Sequence, residues 1–443
     1  MKKPQMPPDF GRVWSDYQEK YYDLAQRMNQ KNEDSEEIRK LIRKYNEQEY
    51  IHWDDLRRKK IPFDPIAFWF VIRTIRGTKY REIRIGDEKF PFYTPENFQK
   101  QLHLLDKASP ASFDWLFGEF PSEANKNQYL SNSLMEEAIA SSQLEGAATT
   151  RPDAKKILRE GRKPKNTSER MIVNNYRTIC RLKKLRDKPL SRELILEIHR
   201  EITHGTLDSE SDETDFRTTD DIVVGSKADP TKIYHYPPEV AKLPAMIDDL
   251  IVFANEDDEF IHPIVKAIIL HFLIGYIHPF NDGNGRTARA IFYWFSLKHH
   301  YDLLEYISIS RIFVHAPAQY ARAYQLTETD SNDMTYFIDF NIQIISRALE
   351  DLKKYIINKK EEEAESLQLV EQIPDLSFRQ AEILRDFIRH PTRHYAISEI
   401  AGKYKVSLPT ARTDLLLLEE KGKLKKYQDG KRQVFMLKQE MRG

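Results

Sequence analysis

Residues 278–289 read HPFNDGNGRTAR, and nearly every type in that stretch can do chemistry. His278 has an intrinsic pKa near neutrality and can accept a hydroxyl proton. Asp282 offers a carboxylate, a hard ligand suited to Mg²⁺ beside phosphate oxygens. Gly283, Asn284 and Gly285 supply flexible backbone just before a helical pattern resumes in RTARAIFYWFSLKHH. Glycines leading into a helix N-terminus make an anion site, with N–H groups pointing outward and the dipole favouring negative charge. Arg286 and Arg289 are three apart, so they share one face of that first turn. The dipole repels unpaired cations there, whereas an anion between them relieves the conflict. A polyphosphate fits. Phe280 is the apolar member and is expected to pack inward and pin the loop. Zinc held by His262, His271 and His278 matches no standard ligand spacing.

The elements around this stretch must position it. The run IVKAIILHFLIGYI, residues 264–277, should be a helix that stops near Ile277, because Pro279 disfavours helical geometry at His278. It is too short for a bilayer and carries Lys266 and His271, so a core helix is expected. Residues 107–358 are mostly helical by period. Two breaks interrupt them. DSESDETD, 208–215, reads as a solvated loop. DIVVGSKADPTKIYHYPPEV holds two β-prone segments around Gly225 and reads as a hairpin.

Residues 1–106 read as a separate small α/β region. A charged amphipathic helix is followed by FWFVIRTIRGTKYREIRIGDEKFPFYTP, whose alternation around Gly77 and Gly86 favours a hairpin or small sheet. Trp53 and Trp69 are expected as core anchors. Residues 359–375 read as a linker or solvated helix end. In 376–440, two helices flank a turn at Lys405–Val406, with Ser407 as N-cap and Pro409 in the first turn. An Asp429–Gly430 hairpin follows. Helix-turn-helix plus hairpin is a winged helix. From Arg389 to Lys438 there are 12 Lys/Arg against 5 Asp/Glu. That basic bias suits duplex DNA. A dimerisation (homodimer) or target-docking role is the alternative.

The bulk numbers limit what else the chain can be. With 443 residues, 40% of them hydrophobic, it can build several cores. Its 69 basic and 69 acidic side chains cancel, so any nucleic-acid surface must be local and nothing advertises a membrane. One cysteine, Cys180, excludes an internal disulfide framework and is expected at a half-buried helix position. The N-terminus has no apolar signal-peptide core, so a soluble, cytoplasmic protein is expected.

The stretch also resembles the signature of the Fic (fido) family, H-P-F-x-(D/E)-G-N-G-R-x-x-R, at all nine defined positions. The resemblance implies a mainly α fold, the Fic helical fold, with a β-hairpin flap, and transfer of AMP from ATP to a protein hydroxyl. It implies that His278 is the general base and that Asp282 holds Mg²⁺. Gly283, Asn284 and Gly285 would line the anion hole, and Arg286 and Arg289 would take the distal phosphates. Gly285, where kinase-like relatives carry lysine, favours AMP transfer. The hairpin after Asp221 takes the place of the family's flap, with Val223, Val224 and Gly225 at positions that approach the nucleotide. A hairpin edge there can hold an extended segment of a target protein as an added strand. Downstream, AQYARAYQLTE resembles the helix that cups adenosine; Tyr320 is the stacking candidate, Tyr324 the second, and Glu328 stands where an asparagine is usual.

Upstream, residues 131–149 carry SSQLEG, which resembles the family's inhibitory motif (S/T)-x-x-x-E-(G/N) through Ser141, Glu145 and Gly146. A carboxylate paired with Arg289 would occupy the γ-phosphate position. Three readings follow: an autoinhibited AMP transferase, an enzyme that removes AMP with Glu145 positioning a water, or a DNA-binding regulator that senses nucleotide. An intact base, metal ligand and anion hole argue against the third.

Overall fold

The computed structural model describes residues 3–107, 123–226, 229–371, 373, 375–429 and 432–438. The fold is mainly α. The N-terminal part comprises α1 (Phe10–Met28), α2 (Glu33–Arg43), α3 (Trp53–Leu56), α4 (Pro65–Gly77), the antiparallel hairpin β1 (Arg81–Ile85) and β2 (Glu88–Phe92), and α5 (Glu96–Lys107). The central part follows with α6 (Glu123–Leu144), α7 (Arg151–Glu160), α8 (Thr167–Leu185), α9 (Arg192–Thr203) and α10 (Glu210–Thr214). Next come the hairpin β3 (Val224–Ser226) and β4 (Asp229–His235), α11 (Leu243–Asn255), α12 (Pro263–Ile277), α13 (Asn284–Lys298), α14 (Ile309–His315), α15 (Pro317–Thr329) and the long α16 (Thr335–Glu371).

Two compact units divide the chain near Leu352. The N-terminal helices, hairpin and central helices share the larger one. Within it, buried Arg76 is a junction. Nε donates to Asn46 Oδ1 at 2.8 Å, Nη1 to Tyr336 Oη at 2.8 Å, and Nη2 to the carbonyls of Tyr45 and Ile51 at 3.0 and 2.8 Å. Tyr336 lies on α16, so the guanidinium ties residues 1–106 to the central helices. Buried Asp333 does the same, accepting from Tyr50 Oη at 2.5 Å and Tyr80 Oη at 2.6 Å. Trp53 and Trp69 are buried as expected.

The centre is α12. Every residue from Ile264 to Ile274 is buried, as a helix apolar on all sides requires. It packs against α13, buried through most of its length. Glu137 of α6 is buried and accepts from Tyr293 Oη at 3.0 Å, Ser308 Oγ at 2.8 Å, Ser310 N–H at 3.0 Å and Ser310 Oγ. One carboxylate thus fixes α6 to α13 and to the start of α14.

In the smaller unit, α17 (Phe378–Arg389), β5 (Tyr395–Ala396), α18 (Ile397–Tyr404), α19 (Leu408–Glu420), β6 (Leu424–Asp429) and β7 (Arg432–Leu437) follow in order, the strands pairing as β5–β7–β6. Ser407 caps α19 by accepting from Thr410 N–H at 3.3 Å, and Lys405 takes φ 52° at the turn. Gly430 of the expected Asp429–Gly430 turn, like Lys227 and Ala228 of the β3–β4 turn and residues 439–440, lies outside the described residues.

Several expectations need correction. FWFVIRTI is helical, not a strand: Asp64 caps α4 by accepting from Ile66 and Ala67 N–H, Pro65 opens it, and only Gly86 turns a hairpin. The acidic run contains α10, capped by Ser209, with Glu213 buried and accepting the Gly205 N–H at 2.5 Å. Of the two readings for 359–375, the helix end holds and the linker does not: residues 359–371 are the end of α16. The helix expected over 131–149 runs Glu123–Leu144. Cys180 is exposed.

Candidate active site

The signature loop is fixed at both ends. At its start, His278 takes the left-handed conformation, φ 51°, and its N–H closes α12 on the Ile274 carbonyl at 3.0 Å. The half-buried ring places Nδ1 3.1 Å from the Gly275 carbonyl. A carbonyl only accepts, so Nδ1 carries the proton and Nε2 keeps its lone pair. Burial pushes the pKa of the ring down to about 4, so it is a free base at neutral pH. Arg217, buried, holds this turn from outside: Nε donates to the His278 carbonyl at 2.9 Å, its N–H to the Pro279 carbonyl at 2.9 Å, and Nη2 to the Pro238 carbonyl beyond β4.

Inside the loop, Phe280 is fully buried and stacks on His199 of α9, ring centroids 3.5 Å apart and planes parallel. Burying such a ring contributes ~1.5–3 kcal/mol. Asn284 staples the loop: Oδ1 accepts the Phe280 N–H at 2.9 Å and Nδ2 donates to its carbonyl at 2.7 Å. Gly283, at φ 81°, is the N-cap of α13, and a methyl there would strike Thr203 and His199. Asp282 is exposed and its Oδ1 accepts the Gly283 N–H at 2.6 Å. Asn281 donates to Asp212 Oδ1 at 2.6 Å, which joins α10 to the loop.

The two arginines differ. Arg286 is buried; Nη1 donates to the Ile202 carbonyl at 3.2 Å, while Nε and Nη2 have no hydrogen-bond partner. Asp282 is the nearest carboxylate, 3.8 Å from Nη2. Burial lowers its pKa, so an anion here would relieve a real desolvation cost. Arg289, also buried, is engaged through Nε and Nη2. Nε donates to Ser141 Oγ at 2.8 Å, and Nη2 to the Ser141 carbonyl and to Glu145 Oε1, both at 2.9 Å. Glu145 follows the last residue of α6, and Gly146 leaves the helix at φ 100°. A methyl at Gly285 would overlap the Glu145 carboxylate. The structure therefore brings Ser141 and Glu145 onto the first turn of α13.

The flap positions are a true hairpin. Val223 is exposed, Val224 pairs with His235 and Gly225 with Ile233, with register shifts between them. Tyr320 packs in an aromatic cluster, stacked on Phe313 at 4.3 Å, with its hydroxyl 2.8 Å from His271 Nε2. Tyr324 stacks on Phe272 at 5.2 Å. Glu328 faces His235. His262 is paired with Asp106 instead of the other histidines, and no metal-ligand cluster of three or more exists among the described residues. Arg217, His199 and Glu137 are site supports that sequence reasoning missed. Each acts across a long stretch of chain, and only the oddity of a lone arginine between the acidic run and the hairpin pointed to any of them.

Comparison with known proteins agrees with this geometry. Residues 189–296 match the Fic/DOC family model. A protein adenylyltransferase Fic from Nematostella vectensis is 54% identical over 37 residues, 8% of this chain and 9% of that protein. A protein of the same name from Culex quinquefasciatus is 34% identical over 98 residues, 22% of this chain and 17% of that protein. The matched stretches thus span less than a fifth of these relatives. A Fic family protein from Desulfovibrio desulfuricans, solved by crystallography, superposes with a TM-score of 0.50 at 16% identity, covering 77% of this chain and 95% of the other, which is a likeness of fold. The signature loop and both of its arginines lie within residues 189–296, the stretch that matches the Fic/DOC family model.

Proposed function

We propose that this chain moves AMP from ATP to a Ser, Thr or Tyr hydroxyl of a target protein, and that Glu145 holds it inhibited at rest. The observation that carries the reading is the contrast between the arginines. Arg286 is buried with two N–H groups unused, and Arg289 beside it is occupied by a carboxylate. The first is a site that wants an anion; the second is one already filled by the protein's own.

In this reading the β- and γ-phosphates lie along the first turn of α13, against Arg286 and, once Glu145 withdraws, Arg289. Asp282 would hold Mg²⁺, which supplies charge neutralisation on the phosphates; a lone exposed carboxylate at the rim suits a metal bound mainly through phosphate. The target hydroxyl gives its proton to His278 Nε2 as its oxygen bonds to the α-phosphorus. The bond from that phosphorus to the β-phosphate oxygen breaks, and pyrophosphate leaves. The protonated ring then returns its proton to solvent. The target segment would lie along the edge of β3, beside Val223, Val224 and Gly225. Tyr320 and Tyr324 would border the base from α15.

The test is incubation with labelled ATP and Mg²⁺, in wild type and Glu145→Gly, with mass spectrometry for protein-bound AMP. Label in the variant supports the reading. ATP binding without label in either protein, with candidate targets supplied, would overturn it.

A further inference from the structure

β4 ends at His235, in register with Val224 across the hairpin. Its ring meets two acceptors. Nε2 lies 2.8 Å from the Tyr276 carbonyl in the last turn of α12, and Nδ1 lies 3.0 Å from Glu328 Oε2 on α15. A carbonyl only accepts, and an ionised carboxylate only accepts. Both contacts therefore take N–H donors, and the ring that makes both is the imidazolium. The place suits a cation: the carbonyl end of a helix carries partial negative charge. Both side chains are largely covered, at 10% and 19% exposure, so solvent does not substitute freely for either contact.

We propose that His235 and Glu328 form a proton-dependent latch that positions the flap, tying β4 at once to the end of α12 and to α15. They are positioning residues. With one proton fewer, neutral His235 keeps its bond to Tyr276 and loses the one to Glu328, so the hairpin is held at one point instead of two. Tyr276 is two residues from His278, and Val224 faces His235, so the latch sets the distance between the flap and the base.

The titratable and charged groups around the latch come from several elements. Glu328 faces it from α15. Tyr276 and His278 face it from the end of α12. Glu88 of β2 acts on the Tyr276 phenol, and Arg217 and Glu145 act on His278. Of these, only Glu328 is a carboxylate within hydrogen-bond distance of the ring. Charge on His235 also contributes to keeping His278 in its neutral form.

The effect on transfer rests on the AMP-transfer reading; the latch itself does not. The first measurement is therefore made without activity. In the full chain, imidazole nitrogen NMR follows His235, assigned by its loss in His235→Gln. Hydrogen-exchange protection of the β3–β4 amides is measured from about pH 5.5 to about pH 9. At the acid end the ring should show two N–H groups and the flap should be protected. As pH rises and Nδ1 loses its proton, protection factors should fall about tenfold or more, the worth of one charge-assisted hydrogen bond. Glu328→Gln is the rescue, because its carboxamide N–H can donate to neutral Nδ1 and flap protection should become nearly independent of pH. His235→Gln should leave the flap poorly protected throughout.

The same series is then run for AMP transfer in the Glu145→Gly background. The alkaline loss of rate seen there should disappear on adding Glu328→Gln. Flap protection that has the same pH dependence in wild type and Glu328→Gln overturns the latch. A ring with a single N–H across the whole range also overturns it. Absence of transfer in every variant, with the NMR and exchange results as expected, counts against the AMP-transfer reading alone.

Discussion

Arg289 and Glu145 stand 144 positions apart in sequence and are joined at 2.9 Å, Nη2 to Oε1, with Ser141 closing the other side of the guanidinium. The arginine is buried and the glutamate mostly so. A charge-assisted contact of this kind is worth ~1.5–3 kcal/mol, about a ten- to hundredfold bias in what occupies the arginine. Burial alone would lower the pKa of Arg289; Glu145, together with Tyr320 and Glu137, outweighs it and raises the pKa. In the proposed reading the pair is a closed state that ATP must compete with.

Replacing the base should separate binding from chemistry. His278→Ala is expected to lose ~10²–10⁴-fold in transfer rate. ATP affinity should change little, because the ring makes no hydrogen bond to Arg286 or Arg289, the arginines proposed to take the phosphates. Rates by mass spectrometry and affinity by calorimetry check this; a rate within tenfold of the parent would reassign the base.

The depressed pKa of His278 gives a pH signature. The ring is neutral in the fold down to about 4, against 6.5 for the free side chain. An active variant should therefore show no loss of rate from pH 7 to about 5.5 on account of this base. Stability should move the other way. His278 and His199 are both pushed down to about 4 by burial. Between pH 6.5 and 4 the unfolded chain binds protons that the folded chain refuses. The stabilisation from these two rings is complete above about pH 6.5 and is lost as pH falls toward 4. Thermal melts across that range should fall steadily, and less so in His199→Phe, which keeps the stack on Phe280 without a titrating group.

Glu137 should matter for stability alone. Glu137→Ala would strand the donors on Tyr293, Ser308 and Ser310 in a buried place. The expected cost is ~3–5 kcal/mol in urea unfolding of the larger unit. A cost under about 1 kcal/mol would mean that the cluster is hydrated.

The C-terminal unit exposes Arg412 and Thr413 on α19 and Lys425 and Lys426 on β6. We propose that basic side chains of this unit contact duplex DNA as a winged helix would. Full-length protein should bind a duplex with affinity that falls steeply with salt. Removal of residues 376–443 should leave self-modification unchanged. Absence of binding at low salt would assign the unit to docking or dimerisation.

How much of this was legible in the sequence depends on range. The loop was readable locally: Pro279 ends α12, glycine opens α13, and Phe280 is the buried pin. Glu145 could be paired with Arg289 only through a motif, since a separation of 144 positions erases any spacing argument. FWFVIR was misread because a short apolar run has no period to distinguish a buried helix from a strand; the Asp64–Pro65 cap was the sign overlooked. The acidic run looked solvated because charge says nothing of a partner such as the Gly205 N–H. Arg217 and His199 left almost no trace, since their partners are carbonyls and a ring that only the fold brings near.

The most direct test is the rate of AMP transfer at saturating ATP in wild type, Glu145→Gly and Arg289→Ala, with ATP affinity measured in each. Inhibition by occupancy predicts that Glu145→Gly exceeds wild type by about ten- to hundredfold and that Arg289→Ala, which loses the phosphate ligand with the inhibitor's partner, is inactive. A Glu145→Gly protein that binds ATP as tightly as wild type and transfers no faster would contradict the account.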